Sequence, residues 1–318
     1  MRFLLRRALH SFFLLVGASV LSFVLVNLAP GDFFAAMRLN PEISASTVSA
    51  LRAQHGLDRP LPVRYLRWVS SIAEGDWGFS FAYNSPAGPI LRSRTRNTLL
   101  LTGTATALAW LIAIPLGIWA AARRGAWVDL FTGGVISVLL AIPELVLALL
   151  LLLFAVRTGY FPAGGLMSSG AARTWADSAD VIRHLFLPAI CLAAGLLPLL
   201  LSHVRTAMAE VLQSPFITAA RGYGIPSIRL LLRHALPAAA NPLISLFGFS
   251  IGMLVSSSLL VEAIFSWPGL GQLMLEAIQQ RDVFLMVDAA VLATAFLILG
   301  NFIADVLLYL TDPRIRVE

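Results

Sequence analysis

The chain has 318 residues, of which 58% are apolar and only 13% are charged, and its mean hydropathy is +0.82. A soluble domain carries about a quarter charged residues, so this chain has too few to cover a soluble fold, and we predict an integral membrane protein. The net charge of +6 comes from arginine alone, because the sequence contains no lysine. This excludes a Walker A lysine and a Schiff-base lysine, and the scattered arginines form no basic face for nucleic acid.

Six stretches are long and apolar enough to cross a bilayer, which requires about 20 helical residues. In chain order they are Ala8–Ala29, Thr98–Ala122, Leu130–Val156, Leu185–Val204, Ala235–Val261 and Phe284–Leu310. The first is predicted to be a retained span, because its uncharged stretch is longer than that of a signal peptide and Leu28-Ala29-Pro30 is a poor cleavage site. The predicted fold is an all-α integral membrane protein with six transmembrane helices.

These spans divide the chain into four parts. They are an N-terminal transmembrane helix (1–30), a soluble outer segment (31–97), a domain of five further helices (98–310) and a tail (311–318). Within the outer segment we predict a short helix from Ser44 to His55, closed by Gly56, and a second helix that begins at Pro62. A turn follows at Gly75–Gly78. The aromatic residues of the outer segment are predicted to form a small core or to act as interface anchors.

Arginine counts beside the spans predict the orientation. The loops on the same side as the N-terminus carry 11 arginines, whereas the short loops on the other side carry 4. The other 8 lie in the segment 31–97, which exceeds the length of about 60 residues to which the rule applies. Both termini are therefore predicted to be cytoplasmic, although Arg92, Arg94 and Arg96 on the outer side oppose this assignment.

Several polar or small residues within spans are candidates for special roles. Glu144 follows Pro143 in the third span, and a carboxylate inside a membrane is a functional candidate. Pro143 interrupts the helical hydrogen bonds and frees backbone groups that could face a cavity, so this pair is a candidate lining of the translocation pathway. The alternative is a structural contact with a neighbouring span. Asp288 and Asp305 are predicted to reach the interfaces or pair across helices, and Gly248–Gly252 has the spacing of close helix packing.

The inner loop from Arg205 to Pro237 is too polar to span the membrane. Pro215 is suited to the first turn of a helix, and Phe216–Gly222 is long enough for about two turns. Gly224, which we expect to need positive φ, then ends this helix. From composition alone an ordinary connector remains an equal alternative.

Two runs of this loop, Ala220–Gly224 and, after nine residues, His234–Pro237, resemble the EAA loop of ABC importer permeases, which has the form E-A-A-x3-G-x9-I-x-L-P. Thr218 occupies the position of the Glu, and His234 that of the Ile. Further blocks, in the same order along the chain, resemble the dipeptide, oligopeptide and nickel permeases. They are Leu28–Asp32, Gly56–Leu61, Gly75–Gly78, Glu262–Gly271, Arg281–Asp282 and Asp312–Arg316. Gly222 and Tyr223 occupy positions where these permeases commonly have Ala and Lys. The glycine is expected to make the loop helix more flexible, and the tyrosine leaves the helix with one positive charge fewer.

The resemblance implies a type-1 ABC transmembrane fold that pairs with a second homologous permease in the cytoplasmic membrane of a bacterium or archaeon. Two cytoplasmic ABC ATPase subunits or domains would bind ATP and magnesium, so no cofactor is expected in this chain. An extracytoplasmic binding protein would deliver the substrate. The loop helix would dock in a groove of the ATPase, and the residues expected at this contact are Phe216, Ala219, Ala220, Arg221, Gly222 and Gly224.

The expected function is therefore permease of an ATP-driven importer, with di- or oligopeptides as substrates and no enzymatic activity of its own. Nickel complexes, glutathione and oligosaccharides remain alternative substrates. A secondary transporter would have internal repeats with broken helices in both halves, and no such repeat is evident. An intramembrane enzyme would need a catalytic motif, and the sequence has no H-E-x-x-H, no paired membrane aspartates and no G-x-S-x-G.

Overall fold

The structure, a computed structural model, describes residues 2–28, 33–34, 44–54, 56, 58–168 and 175–311. They are mostly helical, with one antiparallel hairpin of β1 (Phe79–Ser80) and β2 (Ser85–Pro86). The helices are α1 (Arg2–Leu28), α2 (Ala45–Gln54), α3 (Leu61–Ala73), α4 (Ala87–Ala122), α5 (Trp127–Ala141), α6 (Glu144–Thr158), α7 (Trp175–Leu212), α8 (Pro215–Gly222), α9 (Ser227–Arg229), a π-helix (Leu230–Ala235), α10 (Leu236–Ala238), α11 (Ala240–Ile264), α12 (Leu270–Gln280) and α13 (Val283–Thr311). We call the end of the bundle that carries α8 the loop end, and the opposite end, which carries β1 and β2, the hairpin end.

Within the described ranges, five helices are long and apolar enough to cross a membrane: α1, α4, α7, α11 and α13. The third predicted span, Leu130–Val156, is not one straight helix, because α5 and α6 meet at an angle of 93°. Ile142 and Pro143 are both extended there, with ψ of 114° and 138°. Proline disfavours the α conformation in the residue before it and has no N–H to donate. The predicted interruption at Pro143 is thus confirmed and the single continuous helix is corrected. The described residues contain six spans when the bent pair is counted as one.

Two helices extend beyond the predicted boundaries. α4 begins at Ala87, so the last residues assigned to the outer segment form the first turns of the helix that continues as the second span. Pro89 fits in its first turn, where a missing N–H costs nothing. α7 runs on past Arg205, the predicted start of the inner loop, as far as Leu212. The tail from 312 onwards, and parts of the Leu28–Asp32 and Gly56–Leu61 blocks, lie outside the described residues.

Helices α11 and α13 approach each other closely through glycine. A Cβ atom added at Gly248 would touch the Cβ of Ala304 and lie 2.9 Å from the carbonyl oxygen of Gly300, and one added at Gly252 would lie 2.9 Å from Cγ of Leu297. The close packing predicted from the Gly248–Gly252 spacing is therefore confirmed. In a membrane, where lipid is as apolar as the helices, such backbone approach is a main source of helix association.

Helix α1 packs against α13, which returns antiparallel to it. Near the loop end, Asp305 of α13 forms an ion pair with Arg7 of α1 at 3.3 Å, so the predicted pairing across helices is confirmed. Nearer the hairpin end, Phe23, Trp68 and Val287 form a small buried cluster, which confirms a core role for the aromatic residues of α3. Asp288 is fully buried beside this cluster and accepts a hydrogen bond from Trp68 Nε1 of α3 at 2.8 Å, so it too pairs across helices as predicted.

Candidate coupling site at the loop end

Helix α8 begins and ends where the sequence predicts. Pro215 is its first residue, after Ser214 in an extended conformation. Gly224 ends the turn that follows with φ of +75°, and its N–H donates to the carbonyl of Arg221 at 2.9 Å. The positive φ predicted for Gly224 is confirmed, and it reverses the chain towards Pro226 and α9.

One side of α8 is anchored in the body of the protein. Ile217 is fully buried in an apolar cluster, here called the loop-end cluster, to which α4, α7, α8 and the segment leading into α11 all contribute. Its buried members are Ile118, Ala121, Val204, Met208, Leu212, Ile217, Leu230, Ala235, Ala239 and Leu243. Because a packed interior resists deformation, a force on α8 is passed to the long helices α4 and α7.

The other side of α8 is exposed and apolar. Phe216 is 50% exposed, Tyr223 is 87% exposed, and Ala219 is exposed between them at helical spacing on the same face. Arg221, Gly222 and Gly224 are exposed as well. Large apolar groups exposed on a polar loop are typical of protein contacts. Ala220, in contrast, is half-buried against the loop-end cluster, and its place at the ATPase contact stays a prediction.

A π-helix connects α9 to the next span. In it the N–H of Leu236 donates to the carbonyl of Leu231, five residues earlier, and Pro237, which has no N–H, follows. Such wide turns often occur at functional positions. Ile228 and Leu232, 74% and 57% exposed, are further exposed apolar residues of this loop.

An ion pair links α7 to the start of α5. Nε of Arg205 donates to Oδ1 of Asp129 at 2.5 Å, and the N–H of Gly125 donates to Oδ2 at 2.9 Å. Asp129 is buried. Sequence reasoning missed this pair, although an aspartate in the first turn of an otherwise uncharged helix was a usable signal. The pair attaches α5 to the part of α7 that leads into α8.

The break between α5 and α6 holds the two candidate pathway residues, but they point in different directions. Pro143 is exposed, whereas Glu144 packs against α7, where a Cβ added at Gly195 would lie 3.7 Å from its Cδ. Oε1 of Glu144 is buried, and no hydrogen-bond partner for it exists among the described residues. The 15 residues of α5, about 22 Å of helix, separate this break from the loop end. The structure therefore keeps the two candidate sites apart and connects them through α5.

At the hairpin end, a buried carboxylate closes the Glu262–Gly271 block into a compact turn, which we call the Glu262 lock. Glu262 accepts hydrogen bonds from Thr98 Oγ1 and Gly271 N, both at 2.7 Å, and from Gln272 N at 3.2 Å. Asn97 Nδ2 donates to the carbonyl of Pro268 at 2.8 Å. A Cβ at Gly269 would collide with the Glu262 carboxylate, so the glycine is required there. The sequence marks this block only through its resemblance, not through any visible partner.

Arg94, one of the three arginines that opposed the charge rule, has an acidic partner at the same end. Arg94 forms an ion pair with Glu276 at 3.2 Å and donates to the hydroxyl of Tyr83 at 2.9 Å. Tyr83 in turn donates to Glu276, and its partial burial, together with this hydrogen bond, raises the pKa of the Tyr83 hydroxyl. Arg94 thus binds the hairpin to α12, and its charge is neutralised within the protein.

Together, the apolar spans, the broken third span and the anchored helix with an exposed face define a multi-pass membrane protein with an exposed apolar surface at its loop end. Two family models match the chain. Residues 113–317 match the model described as binding-protein-dependent transport system inner membrane component, and residues 1–98 match the model of the N-terminal part of such components. The chain belongs to the family of binding-protein-dependent transport system inner membrane components.

Relatives match along the whole chain. The oligopeptide transport system permease protein AppB of Bacillus subtilis is 36% identical over 316 residues, covering 99% of both chains. The di/tripeptide permease DppB of Pseudomonas aeruginosa is 32% identical over 94% of both, and the glutathione permease GsiC of Salmonella typhimurium is 31% identical over 100% of both. Among solved structures, a chain of the methionine ABC transporter MetNI in inward-facing conformations shares the fold, with a TM-score of 0.57, 20% identity, and coverage of 70% of this chain and 96% of that one. The predicted fold class is confirmed.

Proposed function

We propose that this chain, a permease subunit of an ABC importer in the inner membrane, imports di- or oligopeptides and forms the translocation pathway together with a second homologous permease. ATP and magnesium are bound by two separate ATPase subunits, and an extracytoplasmic binding protein supplies the substrate. The relatives named for oligopeptide and di/tripeptide transport, each aligned over nearly the whole chain, support the substrate class. Glutathione, itself a small peptide, is the second candidate because a glutathione permease aligns over the full length.

The single observation that carries the coupling role is the two-sided character of α8. Its exposed face, centred on Phe216, Ala219 and Tyr223, docks in a groove of the ATPase, with Arg221, Gly222 and Gly224 beside it. The buried Ile217 on the other side fixes α8 to the loop-end cluster, so that closure of the ATPase moves α4 and α7 as rigid bodies.

The Arg205–Asp129 ion pair extends this movement to α5. Since α5 ends at the break, a displacement of the loop end shifts Pro143 and Glu144, which we place at the pathway. There the exposed Pro143 interrupts the helix at the surface that meets the second permease. In this orientation the loop end and both termini are cytoplasmic.

The coupling role can be tested in proteoliposomes that contain the full importer. Ala219→Trp enlarges the exposed face, and overpacking of a tight contact costs about 1–3 kcal/mol, or roughly tenfold to a hundredfold in docking affinity. We expect uptake to fall at least tenfold and co-purification of the ATPase to weaken. Glu74→Trp, at an exposed position of the hairpin end, is the control for added surface bulk and should leave uptake unchanged. Normal uptake by Ala219→Trp would show that α8 is a plain connector.

The substrate class requires a separate measurement. Uptake of a labelled dipeptide, a labelled pentapeptide, glutathione and a nickel complex is compared in the same vesicles, each with the cognate binding protein present. We expect ATP-dependent uptake of at least one peptide. Uptake of the nickel complex alone would reject the peptide assignment while leaving the permease assignment in place.

A further inference from the structure

Helix α3 carries two different exposed faces. Pro62, Leu66, Val69 and Ala73 follow one another at three- and four-residue spacing and are all exposed, Leu66 by 67%. We call these four residues the α3 stripe. Arg64 and Arg67 lie on the roughly opposite side of the helix, at about 100° per residue. The remaining side, which includes Trp68 and Ile72, packs against α1 and α13.

The depth of α3 follows from its contact with α1. The hydroxyl of Tyr65 lies 2.8 Å from Oγ of Ser19, which is nine residues before the end of α1 at Leu28, or about 13 Å along the helix. The uncharged residues of α1 from Leu28 back to the basic groups at its other end span about 30 Å, the thickness of the hydrocarbon core. A tyrosine side chain is shorter than 13 Å, so α3 lies below the level at which α1 leaves the hydrocarbon.

The contact with α13 independently places α3 inside the end of a second span. Trp68 Nε1 donates to Asp288 Oδ1 at 2.8 Å, and Asp288 is five residues inside α13, about 8 Å from its start at Val283. Tyrosine and tryptophan with a polar atom towards a partner are the residues enriched at membrane interfaces. Two neighbouring spans therefore hold α3 at the boundary of the hydrocarbon.

The charges of α3 suit the headgroup layer. Arg64 and Arg67, together with Arg59, line a cavity of about 450 Å³ at the hairpin end, where Asp76 is the single acidic residue among the lining groups described. The guanidinium of Arg64 also lies 6.0 Å from the centre of the Phe23 ring on α1. Guanidinium groups bind phosphate oxygens in a fixed planar geometry, and arginine near a helix boundary extends its charge towards the headgroups.

We propose that α3 is an interfacial helix embedded in the leaflet at the hairpin end, with the α3 stripe among the acyl chains and Arg59 and Arg67 on phospholipid phosphates. An acidic segment of another protein could also use the arginines, but it would leave the α3 stripe facing water. The amphipathic arrangement, apolar on one side and basic on the other, is that of helices lying in the plane of a membrane surface. The segment between the first two spans is thereby held at the bilayer surface rather than projecting freely from it.

Spin labels in nanodiscs test the position of the α3 stripe. In a Cys191→Ala background, Leu66→Cys and the adjacent Arg67→Cys are labelled in the assembled importer, and relaxation by oxygen is compared with relaxation by a water-soluble nickel chelate. We expect oxygen to dominate several-fold at position 66 and nickel at position 67. Dominance of nickel at position 66 would place the stripe in water, and protection from both reagents would place it against protein. Either result would overturn the proposal.

The binding of phospholipid phosphates by these arginines is tested with the double variant Arg59→Gln and Arg67→Gln. We expect native mass spectrometry to show several-fold less phosphatidylglycerol retained after detergent extraction, while the affinity for the cognate binding protein stays within twofold of wild type. Lower affinity for the binding protein with unchanged lipid retention would show that the cavity docks a protein, and the lipid assignment would be wrong. Neither outcome affects the coupling role of α8, which lies at the other end.

Discussion

Removal of the Arg205 side chain tests whether the link between α7 and α5 couples the loop end to the helix break. Arg205→Ala leaves Oδ1 of Asp129 without its partner in a buried position, while the N–H of Gly125 still binds Oδ2. Breaking a fully buried ion pair costs about 3–5 kcal/mol, whereas a hydrogen bond to a charged group contributes about 1.5–3 kcal/mol. Because the Arg205 side chain is 37% exposed, we expect a value near the lower range, about 2 kcal/mol.

A cost of about 2 kcal/mol raises the population in which α5 is detached from α7 roughly thirtyfold. The large apolar contacts of α4 and α7 remain, so the protein should still insert and assemble. We therefore expect Arg205→Ala to retain ATP hydrolysis by the complex while the number of substrate molecules transported per ATP falls several-fold. The assay is uptake and phosphate release measured in the same proteoliposomes.

Two further variants separate coupling from charge removal. Arg124→Ala removes an exposed arginine at the same end and should leave the transport ratio unchanged. The double variant Asp129→Ala with Arg205→Ala leaves no buried carboxylate unpaired and should regain stability, but not the transport ratio. If Arg205→Ala transports as many molecules per ATP as Arg124→Ala, the link through α5 plays no part in coupling.

Three other predictions follow from the packing, the turn and the orientation. Gly248→Val places a side chain against the Gly300 carbonyl and should lower the stability of the folded protein by about 1–3 kcal/mol or more. The measurement is the thermal unfolding midpoint of the purified protein, which should fall. An unchanged midpoint would mean that α11 and α13 separate easily. Gly224→Val forces a branched residue to φ of +75°, at a cost of about 1–2 kcal/mol, and should reduce uptake, whereas Gly17→Val on α1, with ordinary φ and open space around it, should leave uptake unchanged. Cysteine at Ser46 should react with an impermeant maleimide in intact cells and cysteine at Ser227 only after permeabilisation, and the reverse pattern would invert the proposed orientation.

Local chemistry explains which features the sequence predicts correctly. Pro215 and Gly224 determine the ends of α8 through their own backbone preferences, and Pro143 interrupts the third span for the same reason. The size of the bend at Pro143 was not predictable, because the packing of α5 and α6 against the rest of the bundle sets the direction that each half takes. The side of α8 that is buried was also not predictable, since Ala219 and Ala220 differ only in their position relative to the loop-end cluster.

The polar contacts that hold the ends of the bundle could not be read from the sequence. Thr98 and Glu262 are 164 residues apart, and Asp129 and Arg205 are 76 apart, so nothing in the local pattern pairs them. Their side chains meet because antiparallel helices bring distant residues to the same level. The contact that gives α3 its depth, between Tyr65 and Ser19 of α1, likewise joins residues 46 apart in the sequence.

The Glu262 lock sets an order for the biosynthesis of the protein. Asn97 and Thr98 enter the membrane with the second span, but Glu262 and the N–H groups that complete the lock belong to the fifth span and the turn after it. A nascent chain that has inserted only its first four spans therefore exposes the hydroxyl of Thr98 without its carboxylate partner. The hairpin end can close only when translation is nearly complete, and until then α4 packs mainly against α7, with a smaller contact to α5.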